Sequence, residues 1–167
     1  PTDGLAESIG SPSAGCLRGA ESLKNGELGY FLMRPSRARS FGHPKLVGLI
    51  RSLGLRLASS GKPPLLIGDL SLPRGGPTLS AHASHQSGLD ADIWYLRHQP
   101  WSQLRKVPQK TLEKFNARSM VDRSKRTINS YFGNQEISLL QMIAENTEVD
   151  RILVHFAIKR HLCKTRP

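Results

Sequence analysis

Acidic, aromatic and sulphur-bearing residues are all scarce in this 167-residue chain, and each shortage removes a class of protein. Only two cysteines occur, Cys16 and Cys163, near opposite ends. Their spacing matches no metal-binding cysteine motif. In an exported protein the two would tend to be oxidised. Aromatic residues make up 6% of the chain, too few for a platform on which single-stranded nucleic acid stacks. No apolar run is long enough to span a membrane. The first residues, Pro1-Thr2-Asp3-Gly4, are neither basic nor apolar, so no secretory signal is visible; if the protein is exported, its signal has been removed. Asp and Glu number 13 against 24 Lys and Arg, a net charge of +11. Such a balance favours polyanions: nucleic acid, anionic lipid or cell-wall polymer. The basic residues are scattered over 34–39, 97–114 and 118–126, with no recognition helix, zinc finger or RNA-binding aromatic motif among them. A solvated basic surface is the first reading of the charge and non-specific attraction to an anionic wall polymer the second; specific nucleic-acid binding is not expected.

What remains is moderate apolar content and ordinary charge density, the composition of a folded domain large enough for a core. A single domain over 1–167 is expected. Residues 1–29 are rich in Gly and Ser and read as a loose N-terminal arm. Tyr30 to Met33 is a short apolar run with the character of a strand, followed by a turn at Arg34-Pro35-Ser36-Arg37. His43-Pro44 opens the clearest helix, Pro suiting the first helical position. Leu46, Val47, Leu49, Ile50, Leu53 and Leu57 recur at helical spacing, and Gly61-Lys62-Pro63-Pro64 ends the run. His43 is expected to cap or pack. Leu65 to Ile67 reads as a buried strand, followed by Gly68-Asp69 and a Pro/Gly-rich loop from Pro73 to Pro77. Residues 99–134 are polar, basic and poorly periodic, a long surface excursion. Glu136 to Asn146 is predicted helical with Ile137, Leu140 and Ile143 inward. Val149 to Phe156 is predicted as a strand and Ala157 to Leu162 as a short helix, with His155 and His161 as packing or surface residues. Strands and helices that do not strictly alternate point to an α+β fold, an antiparallel sheet flanked by helices.

Chemistry concentrates in Ser80 to Tyr95, S-A-H-A-S-H-Q-S-G-L-D-A-D-I-W-Y, which holds His82, His85, Asp90 and Asp92. Imidazole nitrogen and carboxylate oxygen together suit Zn²⁺. Gly88 permits a bend between His85 and Asp92, seven residues apart, so that both aim at one point. Asp90, Asp92 and Trp94 alternate with Ala91 and Ile93 at the period of a strand, which puts both aspartates on one face, pointing into a cleft. A hydrogen-bonded polar loop would carry the same residues. Asp69 either orients a metal-bound histidine from behind or caps the turn after the strand.

The words around this segment resemble the penicillin-insensitive murein endopeptidases, within the wider fold family of lysostaphin-type and D-alanyl-D-alanine metallopeptidases. The resemblance rests on S-I-G-S-P-S-A-G-C from Ser8, F-G-H-P-K-L-V from Phe41, I-G-D-L-S-L-P-R-G-G from Ile67, A-S-H-Q-S-G-L-D-A-D-I-W from Ala83 and V-D-R-I-L-V-H-F-A-I-K-R-H-L-C from Val149. It implies a metallopeptidase-like α+β fold and one Zn²⁺, held by His85, Asp92 and a histidine from a later H-x-H element. No H-x-H occurs in these residues, so the family pattern is expected to be incomplete at the C-terminus. The general base is expected in that absent element, and His82 would support a ligand or touch substrate. The implied activity is hydrolysis of the D-alanyl to meso-diaminopimelyl crosslink of peptidoglycan in the periplasm, insensitive to penicillin because no serine is acylated. The resemblance also implies that Cys16 and Cys163 belong to different disulfides; the residues themselves leave pairing or free thiols open. The alternative is a truncated or inactive relative that binds peptidoglycan without cutting it.

Overall fold

The computed structural model describes residues 4–79, 83–95 and 106–165. The chain is α+β and separates into two compact units, Pro1–Asn116 and Ala117–Pro167. The boundary falls inside the segment read as a surface excursion.

In the first unit, β1 (Glu7–Ser11) and β2 (Ala14–Arg18) form an antiparallel hairpin, with Ile9 opposite Cys16. Part of the expected loose arm is therefore ordered by strand pairing. Within this hairpin the glycines are tightly packed: a Cβ on Gly15 would fall 2.5 Å from the carbonyl oxygens of Ile9 and Ser11 and 3.1 Å from Ser87 Cβ. A second antiparallel pair joins β3 (Glu21–Ser22) to β5 (Phe41–Gly42).

The central sheet has the order β4 (Tyr30–Leu32), β6 (Leu65–Ile67), β7 (Ile93–Trp94). It is mixed, not wholly antiparallel as expected: β4 and β6 are parallel, while β6 and β7 are antiparallel. The reason lies in the connection. Parallel neighbours need a long crossover, and α1 (Pro44–Ser59) provides it between β4 and β6. Pro44 stands at the start of α1, and His43 Nδ1 accepts from the Lys45 N–H at 3.3 Å, so His43 is a cap. Val47, Ile50, Leu53 and Leu57 are buried along one face of the helix, which packs on β3 to β6. Each such apolar side chain contributes about 1.5–3 kcal/mol on burial. Phe31, Leu66 and Trp94 lie in register across the three strands. Phe31, Leu66, Met33 and Leu112 make a buried cluster, with Trp94, Val107 and Phe115 packed on it. Leu112 belongs to the short helix α2 (Gln109–Leu112), so this part of the expected excursion is core.

The second unit contains the antiparallel hairpin β8 (Val121–Asp122) and β9 (Thr127–Ile128), then α3 (Asn134–Ala144) and α4 (Phe156–Thr165). The Glu136 carboxylate accepts the Gly133 N–H at 3.0 Å, which starts α3 two residues earlier than expected. Its buried face is Leu139, Met142 and Ile143 rather than Ile137 and Leu140. The predicted strand over Val149 to Phe156 does not form. Instead His155 Nδ1 accepts the Ala157 N–H at 3.2 Å and caps α4. Among the described residues no helix is long and apolar enough to cross a membrane.

Candidate functional site

The site is built on the end of β6, the turn at 84–88 and the run into β7. Gly68 N–H donates to the Asp92 carbonyl at 2.7 Å, and Asp92 N–H donates to the Asp69 carbonyl at 2.9 Å. These two bonds carry the β6–β7 ladder beyond the strands and fix the backbone of Asp92. Gly68 is required there. A Cβ on it would lie 2.5 Å from Trp94 Nε1 and 3.2 Å from Asp92 Cβ, so only glycine lets both side chains close over it. The strand itself begins at Ile93, so the predicted alternation from Asp90 is extended chain rather than strand.

The turn is clamped from several sides. Gln86 Nε2 donates to the carbonyls of Ser13 at 2.8 Å and Ala83 at 3.0 Å, and Gln86 Oε1 accepts the Gly15 N–H at 3.3 Å. Gln86 N–H reaches the Pro12 carbonyl at 2.9 Å, Gly76 N–H the Gln86 carbonyl at 3.0 Å, and His43 N–H the Gly88 carbonyl at 2.8 Å. Ser8 Oγ donates to the Ser87 carbonyl at 2.8 Å. The β1–β2 hairpin, the 74–76 loop and the start of α1 thus hold the turn. Gly88 has φ +71°, the bend expected of it, and His85 itself has φ +70°. A left-handed conformation is uncommon for a residue with a Cβ and persists only where the surroundings impose it.

His85 is 3% exposed, whereas the side chains of Asp90 and Asp92 are 33% and 43% exposed, so the cluster opens to solvent on its carboxylate side. His85 Nδ1 lies 2.8 Å from Asp90 Oδ2, and His85 Nε2 lies 3.6 Å from Asp92 Oδ2. Burial alone would push the imidazole to lose its proton. Hydrogen bonding and charge from Asp90 and Asp92 outweigh burial and raise its pKa to about 10. The two carboxylates therefore favour positive charge on the ring. Two ligands of one tetrahedral Zn²⁺, each bound at about 2.0–2.2 Å, stand about 3.3–3.5 Å apart. The separation of Nε2 and Oδ2 and the chemistry of the donors fit that ion, with Asp90 on Nδ1 holding the ring as carboxylates do behind metal-bound histidines. Among the described residues no group of three or more His, Cys, Asp or Glu that could hold a metal is gathered. His82, named from the sequence, lies outside the described residues.

Asp69 is 3% exposed, and its Oδ2 takes Arg37 Nη1 at 2.7 Å and Arg39 Nη1 at 3.1 Å. The structure thus gives its carboxylate to two arginines 30 and 32 residues away. Its backbone carbonyl accepts the Asp92 N–H. Sequence reasoning missed Gln86 and the two arginines; the only local signal was the Gln directly after His85. Cys16 and Cys163 are both free and exposed.

The site is thus a buried histidine between two carboxylates, on a glycine-bent turn against the edge of a small α+β sheet. Comparison with known proteins places it more narrowly. The sequence profile of the family described as penicillin-insensitive murein endopeptidase matches residues 8–167, and the chain belongs to that family. Relatives of that name are 38% identical over 164 residues in Klebsiella pneumoniae, 37% over 168 in Haemophilus influenzae and 39% over 164 in Yersinia pestis. Each alignment covers 98% of this chain but only 58%, 56% and 58% of the respective relative, so the chain spans little more than half their length.

Proposed function

We propose that the protein is a zinc-dependent murein endopeptidase that hydrolyses the D-alanyl to meso-diaminopimelyl crosslinks of peptidoglycan in the periplasm. The observation that carries the proposal is the His85–Asp92 pair, 3.6 Å apart with Asp90 behind the ring, in a chain of the murein endopeptidase family. His85 Nε2 and Asp92 Oδ2 would hold Zn²⁺. When bound, the ion supplies Lewis acidity and lowers the pKa of a water towards about 7. The chain's own groups do the rest. Asp90 fixes the tautomer and direction of the imidazole; Gln86 and the β1–β2 hairpin hold the turn; the bonds from Gly68 and Asp69 hold Asp92. The general base is assigned to the H-x-H element of the family. Partnership with peptidoglycan, rather than nucleic acid, agrees with a basic sequence in which no base-reading motif is recognisable.

The test uses the protein encoded by the whole reading frame and measures release of muropeptides from crosslinked sacculi. His85→Ala and Asp92→Ala are expected to fold and to release nothing, as is chelated wild type. Undiminished release by either variant or by chelated protein would contradict the zinc mechanism. Sacculus binding without any release by the intact protein would favour the non-cutting relative.

A further inference from the structure

A cavity of about 280 Å³ is lined by Lys24, Arg34, Arg39, Met33 and, on the side of the site, Gly68, and among the described residues no Asp or Glu lines it. Arg39 spends its charge on Asp69. Arg34 does not pair with a carboxylate among the described residues. Its Nη2 donates to the neutral Asn116 Oδ1 at 2.6 Å, and its guanidinium sits 5.4 Å from the centre of the Trp94 ring. Arg34 is also strained, with φ and ψ both 54°. The left-handed region is unfavourable for a residue with a Cβ, and a following proline disfavours it further. Strain of this kind is kept where a side chain must be aimed.

The placement ties this cation to the metal pair. The direction in which a Gly68 side chain would point is filled by Trp94 and Asp92, so these two share one face of the sheet. The Arg34 guanidinium lies over the Trp94 ring, 5.4 Å from its centre. Trp94 thus neighbours Asp92 over Gly68 and carries the Arg34 guanidinium at its ring, a group with five N–H donors in all.

Resting on the murein endopeptidase reading, we propose that Arg34 binds a carboxylate of the peptide substrate beside the scissile bond. The substrate's chemistry supplies one. At the crosslink the diaminopimelyl residue gives its amino group to the amide and keeps the carboxylate on the same carbon. A planar guanidinium takes such a group through two parallel hydrogen bonds. The cavity thereby selects the amine-side residue, favouring a free acid over its amide.

The experiment compares two crosslinked peptides, one with that carboxylate free and one with it converted to carboxamide. Binding to chelator-treated protein from the whole reading frame is measured by calorimetry, and cleavage is measured separately with Zn²⁺ present. The metal-free protein should bind the free acid at least about tenfold more tightly than the amide, as a charge-assisted pair implies. Arg34→Gln should erase that ratio by weakening the acid alone, and Arg34→Lys should restore part of it. Equal binding of the two peptides by wild type, or equal weakening of both by a folded Arg34→Gln, would overturn the proposal. Because the binding arm needs neither metal nor catalysis, it fails or succeeds independently of the endopeptidase reading. If Arg34→Gln does not fold, Arg34→Lys decides: a ratio lowered from wild type through weaker binding of the acid alone supports the proposal, and a ratio left at the wild-type value, or equal weakening of both peptides, overturns it.

Discussion

Gly75 and Gly76 provide a matched pair for testing how tightly the turn at 84–88 is held. Both have left-handed backbones, φ +69° and +79°. An alanine in that region costs about 1–2 kcal/mol. At Gly76 nothing lies within 4 Å of the added Cβ, so Gly76→Ala should lose only that amount. At Gly75 the Cβ would meet the Gln86 carbonyl oxygen at 2.0 Å and the Leu17 N at 2.7 Å. Both are backbone atoms in hydrogen-bonded segments, since Leu17 N–H donates to the Arg74 carbonyl and Gln86 to Pro12. Neither can swing aside as a flexible side chain would. Forced overpacking adds about 1–3 kcal/mol, so Gly75→Ala should lose about 2–5 kcal/mol in all. Urea unfolding of the two variants, read as a midpoint shift at unchanged slope, gives the comparison. The Gly75 variant should also bind Zn²⁺ more weakly, because displacing the Gln86 carbonyl moves its neighbour His85. Equal losses in the two variants would refute the close approach of loop and turn.

Gln86→Ala removes bonds to Ser13, Ala83 and Gly15, and it should cost about 1–3 kcal/mol and lower Zn²⁺ affinity, checked by denaturation and calorimetry. Asp69→Ala leaves the buried Arg39 without its carboxylate at 3.1 Å and should cost about 3–5 kcal/mol by the same denaturation assay. Tyr30 is fully buried and, through that burial and the Glu27 carboxylate, has its pKa raised from 10.0 to about 12. The unfolded chain loses the phenolic proton first, so this contribution is whole below pH 10 and is lost as pH rises through about 12. Tyr30→Phe should be less stable near neutrality, because Lys24 loses both bonds to the hydroxyl, yet should fall less steeply above pH 10.

Local chemistry was legible in the sequence, and long-range pairing was not. The α1 helix could be read from its leucine spacing and from His43-Pro44, because both signals act within one or two turns. The His85–Asp92 convergence could be read because Gly88 supplies the bend. The partners of Asp69 could not, since Arg37 and Arg39 reach it only through the tertiary fold. The hairpin over residues 7–18 hid behind glycines that pack tightly. Val149 to Phe156 misled because its β-branched residues suit a strand, while the cap from His155 starts a helix at its end. The parallel pairing of β4 with β6 follows from the α1 crossover, a topological fact that composition does not record.

The central claim is that one metal ion is shared by His85 and Asp92. The direct measurement is a crystal structure of the protein from the whole reading frame, grown with Zn²⁺ and recorded at the zinc absorption edge. The account predicts one anomalous peak within bonding distance of both His85 Nε2 and Asp92 Oδ2, with Asp90 still on His85 Nδ1. An active protein whose zinc peak lies away from either residue would contradict it.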